Sequence, residues 1–449
     1  MADLRAFLAE AQEEVIHIKD EVSTKFEVAA ILKTLDKEKI VFFDKVKDFA
    51  TPIVGGVCGT RGRLHRALGL RQGDFYDRLG KALAEPEKPD IVDKGPVLKD
   101  VEEPRLSRIP IATHYEKDAG PYITAGAVYT KVGDSENLSV HRLQVVDETH
   151  LAIRIVPRHL YRLCQMARER GWKTLDISIS VGLHPAVLMA ASSPVRFGIS
   201  HYDIANNLLG GTLKLIKCPH VEAYAPSDAE LVLEGRILLD QNVPEGPFTD
   251  LTGTYDIQRS QPLVEIVGVL HRDDYIYQAL LPAGSEHRLL MGMPQEARVW
   301  EYVRNVLPTA KAVNMTLGGC GWLHCVVSVE KFRDGDAKNV LMAIFAANPS
   351  IKHAVVVDSD IDVYNMEEVE WAIATRFRGD RGLLLVPDVR VSSLDPTSDQ
   401  ELELGCKTGI DATRPFSKPK EKFESARIPQ TPTVARLLKE LKAEEALSS

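Results

Sequence analysis

The chain carries only six cysteines in 449 residues (Cys58, Cys164, Cys218, Cys320, Cys325 and Cys406), scattered and without a CxxC pair. That usage excludes a disulfide framework and fits a reducing compartment, so a cytoplasmic location is expected. Cys320 and Cys325 flank His324, but CxxxxC with one histidine matches structural zinc spacing poorly and reads as ordinary buried thiols. No apolar run reaches the ~18–20 residues that a bilayer span requires. The opening MADLRAFLAEAQEEV has neither a basic start nor an apolar centre. It reads as an acidic amphipathic helix with Leu4, Phe7, Leu8, Ala11 and Val15 on one stripe, not as a signal peptide. Basic excess is also missing: the formal net charge is −9, which argues against a nucleic-acid or anionic-membrane surface. A small anionic substrate would need local basic residues instead. Gly55, Gly56, Gly59 and Gly62 do not spell GxGxxG, so they mark a tight strand-to-helix turn rather than a dinucleotide site.

The length suggests two or three domains. Residues 1–111 alternate helix and strand signals, including the strand KIVFFDKV and the strand–turn–helix TPIVGGVCGTRGRLHRALGL, and predict an α/β N-terminal domain. Pro86, Pro89, Pro96, Pro104 and Pro110 fall in a polar stretch that reads as a connection. Residues 112–293 hold many short β-rich runs and few helices, such as HLYRLCQMARERG, which predicts a barrel or sandwich. In residues 294–449 a helix PQEARVWEYVRNVLP, with Pro294 in its first turn, precedes alternating strands and helices and a terminal amphipathic helix. That order predicts a small C-terminal α/β domain with a largely parallel sheet. Asp358, Asp360 and Asp362 at a strand exit read as solvent-facing acids rather than a magnesium cluster.

Four segments carry candidate chemistry. In PEGPFTDLTGTY, Glu245 and Asp250 stand five apart across a Gly-Pro turn. Such a turn either folds two carboxylates toward one pocket, where they push each other's pKa values apart, or leaves them solvated. Between Glu136 and Leu160, Asn137, His141, Arg142, Arg154, Arg158 and His159 sit among β-branched residues. The guanidinium groups there need an anionic ligand or local acids such as Asp147 and Glu148. In LELGCKTGIDATRP, Lys407 lies between glycine-lined turns, suited to a phosphate or simply exposed. In PAGSEHRLLMG, His287 and Arg288 open a helix, either as binding groups or as a plain start capped by Ser285.

Together these segments resemble the UbiD family over most of the chain. Asn-x-x-x-x-Arg appears as Asn137 to Arg142, Glu-Gly-Pro-[Phe/Tyr]-x-[Asp/Glu] as Glu245 to Asp250, and Lys-x-Gly-[Ile/Leu]-Asp-Ala-Thr as Lys407 to Thr413, in the family's order. GTRGRLHRALG and AELVLEG are similar to family segments as well. The resemblance implies reversible, non-oxidative decarboxylation of an unsaturated or (hetero)aromatic acid by covalent catalysis on prenylated FMN. It further implies a manganese ion bridging the cofactor phosphate, often potassium, a split β-barrel flavin domain, and a C-terminal domain that makes a homodimer or higher homo-oligomer. A flavin prenyltransferase would supply the cofactor. Residue by residue, Arg142, Glu245 and Asp250 match the catalytic triad, and Asn137 and His159 match metal ligands. Val140, His141, Arg142, Arg154, Ile155, Val156, His159 and Lys407 fall at cofactor-binding positions. The family's third metal ligand is a glutamate, where GISHYDIANNLLGG places His201, a change that makes the site less negative by one charge.

His287 and Arg288 lie where the family lines its substrate side, similar to the furan-dicarboxylate decarboxylases. The expected reaction is therefore 2,5-furandicarboxylate to 2-furoate and CO2, with the archaeal mevalonate-pathway decarboxylases, whose substrate carries a phosphate, as the competing reading. A flavin reductase or a non-catalytic flavin-binding protein would fit the barrel but would not require Glu245, Arg142 and Asp250 together.

Overall fold

The structure is a computed structural model. It describes residues 3–448 apart from 72, 400, 401, 427 and 430. The opening helix, Leu4–Glu10, buries Leu4 and Phe7 and is capped by Asp3, whose carboxylate accepts the Ala6 N–H. It stops before Val15, because the β-branched run VIHI begins a strand, Val15–Val22, that pairs in parallel with Ile40–Val46. Ile53–Gly55 continues this sheet, and Tyr277–Ala279, from far along the chain, completes it. After Gly55 the chain turns as expected into the helix Arg61–Ala67, with Gly56 at φ +75° and Thr60 as cap.

Six antiparallel strands close the central barrel. In order they are Leu231–Glu245, Thr174–Val181, Tyr122–Val132, Ser135–Val145, His150–Ile153 and Arg259–His271, the last pairing back onto the first. Alternate residues such as Ile177, Ile179, Leu231, Leu233 and Ile237 fill the core. The proline-rich stretch is more than a connection, since its Asp100–Glu102 adds a strand to the barrel edge. Two helices, Pro185–Ala191 and His201–Leu208, have no counterpart in the sequence expectation. The first is buried on every side, so its sequence PAVLMAA shows no polar face and no helical period.

The C-terminal sheet runs Ala310–Met315, His324–Val329, His353–Asp358, Leu404–Ala412, Leu383–Arg390. Its three inner strands are parallel and both edges antiparallel, so the sheet is mixed rather than largely parallel. The segment around Lys407 forms a strand, not glycine turns. Its Gly409 packs against Leu341, which a Cβ would meet at 2.9 Å. Asp358 is buried and, with Asp360, grips Arg376 at 2.6–2.9 Å, so these two acids serve an internal ion pair. The terminal helix, Pro432–Ser448, leaves Val434, Leu437, Leu438 and Leu441 exposed. Among the described residues no helix is long and apolar enough to cross a membrane.

One helix, Ser285–Val306, connects these parts. It begins nine positions before the expected Pro294, which lies inside it. Ser285 is not the cap: Gly284 is, and the Asp36 carboxylate accepts the Ser285 N–H at 3.1 Å and hydroxyl at 3.0 Å. Glu296 receives Arg61 and the Met315 N–H, tying the helix to the N-terminal unit and to the C-terminal sheet. Glu286 is buried and accepts the N–H groups of Gly56 (3.1 Å) and Cys58 (2.8 Å). Burial pushes its carboxyl up from 4.5 to about 7. The stabilisation it contributes is therefore full below pH 4.5 and lost as pH rises through about 7. Melting temperatures of the parent and of Glu286→Gln should accordingly diverge across that window and run parallel above it. A constant difference at every pH would contradict this.

Candidate active site

Glu245 ends the long barrel strand, and Gly246 follows at φ +91°, with Ile257 O 3.2 Å from where a Cβ would stand. Only glycine suits that turn. The chain then forms a short hairpin in which Phe248 pairs with Asp256 and Thr249 with Tyr255. Asp250 sits at its tip, fixed by its own N–H to Thr254 O and by the Leu251 N–H on its Oδ1. The turn thus presents Glu245, Asp250 and Asp256 to one point, and Arg142 reaches that point from the strand Ser135–Val145.

Arg142 forks onto Glu245 through Nε and Nη2, both at 3.0 Å, and donates from Nη1 to Asp250 at 2.5 Å and from Nη2 to Asp256 at 2.8 Å. Its side chain is 8% exposed and that of Glu245 0%, so this charge cluster is desolvated. Burial alone would weaken the Arg142 cation, but Asp250 and Glu245 outweigh it and raise its pKa. Burial also opposes the Asp256 charge, yet Arg142 and Arg259 hold that carboxyl below its usual range. Arg259 lies 3.1 Å and Arg154 3.8 Å from Asp256, so three acids face three guanidinium groups. The Tyr122 hydroxyl donates to Gln144 at 2.9 Å and stands 3.3 Å from Glu245. Burial and Glu245 push its phenol up, which keeps it a neutral donor. Sequence reasoning missed Asp256, Tyr122 and Gln144. Asp256 becomes visible only once the hairpin returns it to Glu245, and Tyr122 and Gln144 meet only as cross-strand partners.

His287 lies near this cluster. Its Nδ1 accepts the Ala283 N–H at 3.2 Å, which leaves Nε2 to carry the ring proton. Burial lowers its pKa, helped by Arg288 and Arg142 and opposed by Asp250. Arg288 donates from Nη1 to Leu317 O at 3.2 Å, while its buried Nε has no partner among the described residues. A side chain at Gly253, in the Asp250 turn, would touch Arg288 Nη2.

Farther along the same barrel strand stands Asn137, buried, with His201 buried and His159 half-buried. The two imidazole rings are 6.2 Å apart. Two imidazoles on one ion, with bonds of about 2.1 Å, place their centroids up to roughly 6.5 Å apart, so a shared ion is within reach. Burial keeps both rings neutral, His201 at about 4, and the buried His201 Nδ1 has no hydrogen-bond partner among the described residues. Neutral imidazoles and an unused ring nitrogen fit a divalent metal. His141 uses both ring nitrogens inside the chain, toward Ser139 Oγ and Arg154 O. Ile155 gives its N–H to Gln261 and Val156 gives its carbonyl to the Arg158 N–H. Arg158 stands exposed, 5.7 Å from the Trp322 ring. Lys407 is in the C-terminal sheet. Its ammonium donates to Pro349 O and Ile351 O at 2.5 Å, and burial lowers its pKa to about 8. The structure therefore gathers Arg142, Glu245 and Asp250, brings His159 and His201 together at the starts of two helices, keeps Asn137 on the Arg142 strand, and leaves Lys407 bonded within its own domain.

Comparison with known proteins follows this layout. Models described as the N-terminal, Rift-related and C-terminal domains of 3-octaprenyl-4-hydroxybenzoate carboxy-lyase match residues 7–83, 90–285 and 288–412. The chain is 43% identical over 425 residues to an anhydromevalonate phosphate decarboxylase of Methanothermobacter thermautotrophicus, covering 94% of this chain and 99% of that one. Among solved structures it is similar to the UbiD-class enzyme HmfF from Pelotomaculum thermopropionicum in complex with FMN, with a TM-score of 0.92, 38% identity, and coverage of 95% and 97%. An evolved dimeric form of HmfF in complex with prFMN gives a TM-score of 0.89 at 35% identity, covering 96% and 97%.

Proposed function

The chain belongs to the UbiD family and is a carboxy-lyase, and from that premise we propose that it decarboxylates an unsaturated carboxylic acid bearing a phosphate ester. The observation that carries the substrate reading is the 43% identity, across nearly the full length of both chains, to an anhydromevalonate phosphate decarboxylase. It favours a phosphorylated acid over the furan dicarboxylate that His287 and Arg288 suggested. A flavin reductase or passive flavin carrier has no use for a desolvated Arg142 shared by Glu245, Asp250 and Asp256.

Prenylated FMN, when bound, supplies the electron sink that decarboxylation at an sp2 carbon needs and that no side chain offers. Asn137, His159 and His201 would hold a manganese ion at its phosphate, with potassium alongside. Val140, Arg154, Ile155 and Val156 would hold the rest of it, whereas Lys407, whose ammonium is committed to Pro349 O and Ile351 O, is not in place to do so. Arg142 binds the substrate carboxylate by charge-assisted hydrogen bonds. Glu245, beside that carboxylate, delivers a proton to the carbon that lost CO2. Asp250 keeps Arg142 in place throughout. His287 and Arg288 take the remote phosphate, to which the Arg288 Nε–H, without a partner among the described residues, can donate. Two copies associate through the C-terminal domain, and a flavin prenyltransferase provides the cofactor.

The test is kcat/KM on a panel of acids. We expect anhydromevalonate phosphate to exceed its dephosphorylated form by at least about 100-fold, because groups built for an anion are left unpaired without one, and to be preferred to 2,5-furandicarboxylate. Arg288→Ala should erase most of that gap. Comparable values, or a preference for the furan diacid, would reject the phosphate reading.

A further inference from the structure

We infer that Ser139 and His141 form a relay that fixes which end of the Asn137 amide faces the metal. The inference rests on the reading of Asn137 as a metal ligand. Asn137, Ser139 and His141 alternate along Ser135–Val145 and so share one face of that strand. Their side chains are joined in series: Asn137 Nδ2 to Ser139 Oγ at 2.7 Å, Ser139 Oγ to His141 Nε2 at 2.8 Å, and His141 Nδ1 to Arg154 O at 2.9 Å. Gly126 lies opposite His141 on the neighbouring strand and brings no side chain against the imidazole.

The polarity of this chain is set from its far end. A backbone carbonyl can only accept, so His141 Nδ1 must carry the proton facing Arg154. In the neutral ring Nε2 is then a bare lone pair, and the Ser139 hydroxyl has to donate to it. With its proton committed, Ser139 Oγ offers Asn137 only lone pairs. Asn137 must therefore turn its NH2 toward Ser139 and its carbonyl Oδ1 the other way. An amide has two nearly isosteric ends, of which only the oxygen can ligate a cation. His141 and Ser139 thus act as positioning residues, deciding that the oxygen is the end presented. The imidazole does this through Ser139, both of its ring nitrogens being spent within the chain.

The relay is tested by Mn2+ affinity of the full-length, flavin-loaded protein, read from the electron paramagnetic resonance of free Mn2+. Ser139→Ala and His141→Phe should each weaken Mn2+ binding by about 10-fold, the lower end of what partners of metal ligands contribute. Ser139→Thr, which keeps the hydroxyl, should stay within about 2-fold of the parent, a rescue that loss of packing would not show. The double variant should bind no more weakly than the weaker single one, since either change breaks the same series. If Asn137→Ala loses Mn2+ while Ser139→Ala does not, or if the two losses add, the relay is overturned. If Asn137→Ala itself binds Mn2+ as the parent does, the ligand reading fails and the relay with it. Ser139→Ala removes a single oxygen and keeps the test decisive should His141→Phe not fold.

Discussion

Arg142→Met should yield a protein without measurable turnover and with stability lowered by about 3–5 kcal/mol, the usual consequence of removing one partner from a buried ion pair. Methionine keeps much of the volume, so the effect isolates the charge. In the parent the guanidinium is shared by Glu245, Asp250 and Asp256 at 2.5–3.0 Å. Without it, Glu245 is left fully buried with nothing to balance its charge, since Arg154 and Arg259 reach only Asp256. The orphaned acids should then take up protons, which makes the stability loss smaller at pH 5 than at pH 8. Arg142→Lys should recover part of the stability and little of the rate, because an ammonium cannot fork onto Glu245 while holding the hairpin acids. Denaturant melts at the two pH values check this. A variant as stable as the parent at pH 8 would mean that the cluster is not strongly coupled.

Glu245→Gln should retain flavin and metal yet lose turnover by ~10²–10⁴-fold, the range typical of a positioned acid or base. The amide is nearly isosteric and can still accept from Arg142, so folding and cofactor content should change little. What disappears is the proton. Asp250→Asn should cost less, because Asp250 holds Arg142 from the hairpin tip rather than sitting beside it in the core, and its side chain is 21% exposed. Equal losses in the two variants would place the proton donor between them, and near-parent rates in Glu245→Gln would move it to Asp250.

How much of this could be read before the structure depends on how local the signal was. Glu245 and Asp250 converge because a glycine turn and a hairpin span only a few residues, and turn chemistry is written in those residues. Strands whose residues alternate polar and apolar, such as Thr174–Val181, are equally legible. The helix Ser285–Val306 was misplaced at its start because its N-terminal signal is not local: the carboxylate at Ser285 comes from Asp36. In sequence alone, Pro294 therefore has the character of a helix start. The strand around Lys407 was hidden because Gly405 and Gly409, which let Val391 and Leu341 pack close, resemble turn residues in isolation. Asp256 needed the cross-strand register. Similarly, nothing near Asn137 in sequence foretells that His141 would spend both ring nitrogens inside the chain.

The central claim is that this chain releases CO2 from an unsaturated phosphorylated acid and that Glu245 returns a proton to the vacated carbon. It is tested most directly by following anhydromevalonate phosphate, 13C-labelled at the carboxyl, in D2O with the cofactor-loaded enzyme. The account predicts one 13CO2 and one deuterium at the former carboxyl-bearing carbon for each turnover, with both lost together in Glu245→Gln. Release of no labelled CO2 by the parent, or unimpaired deuterium delivery by Glu245→Gln, would contradict it.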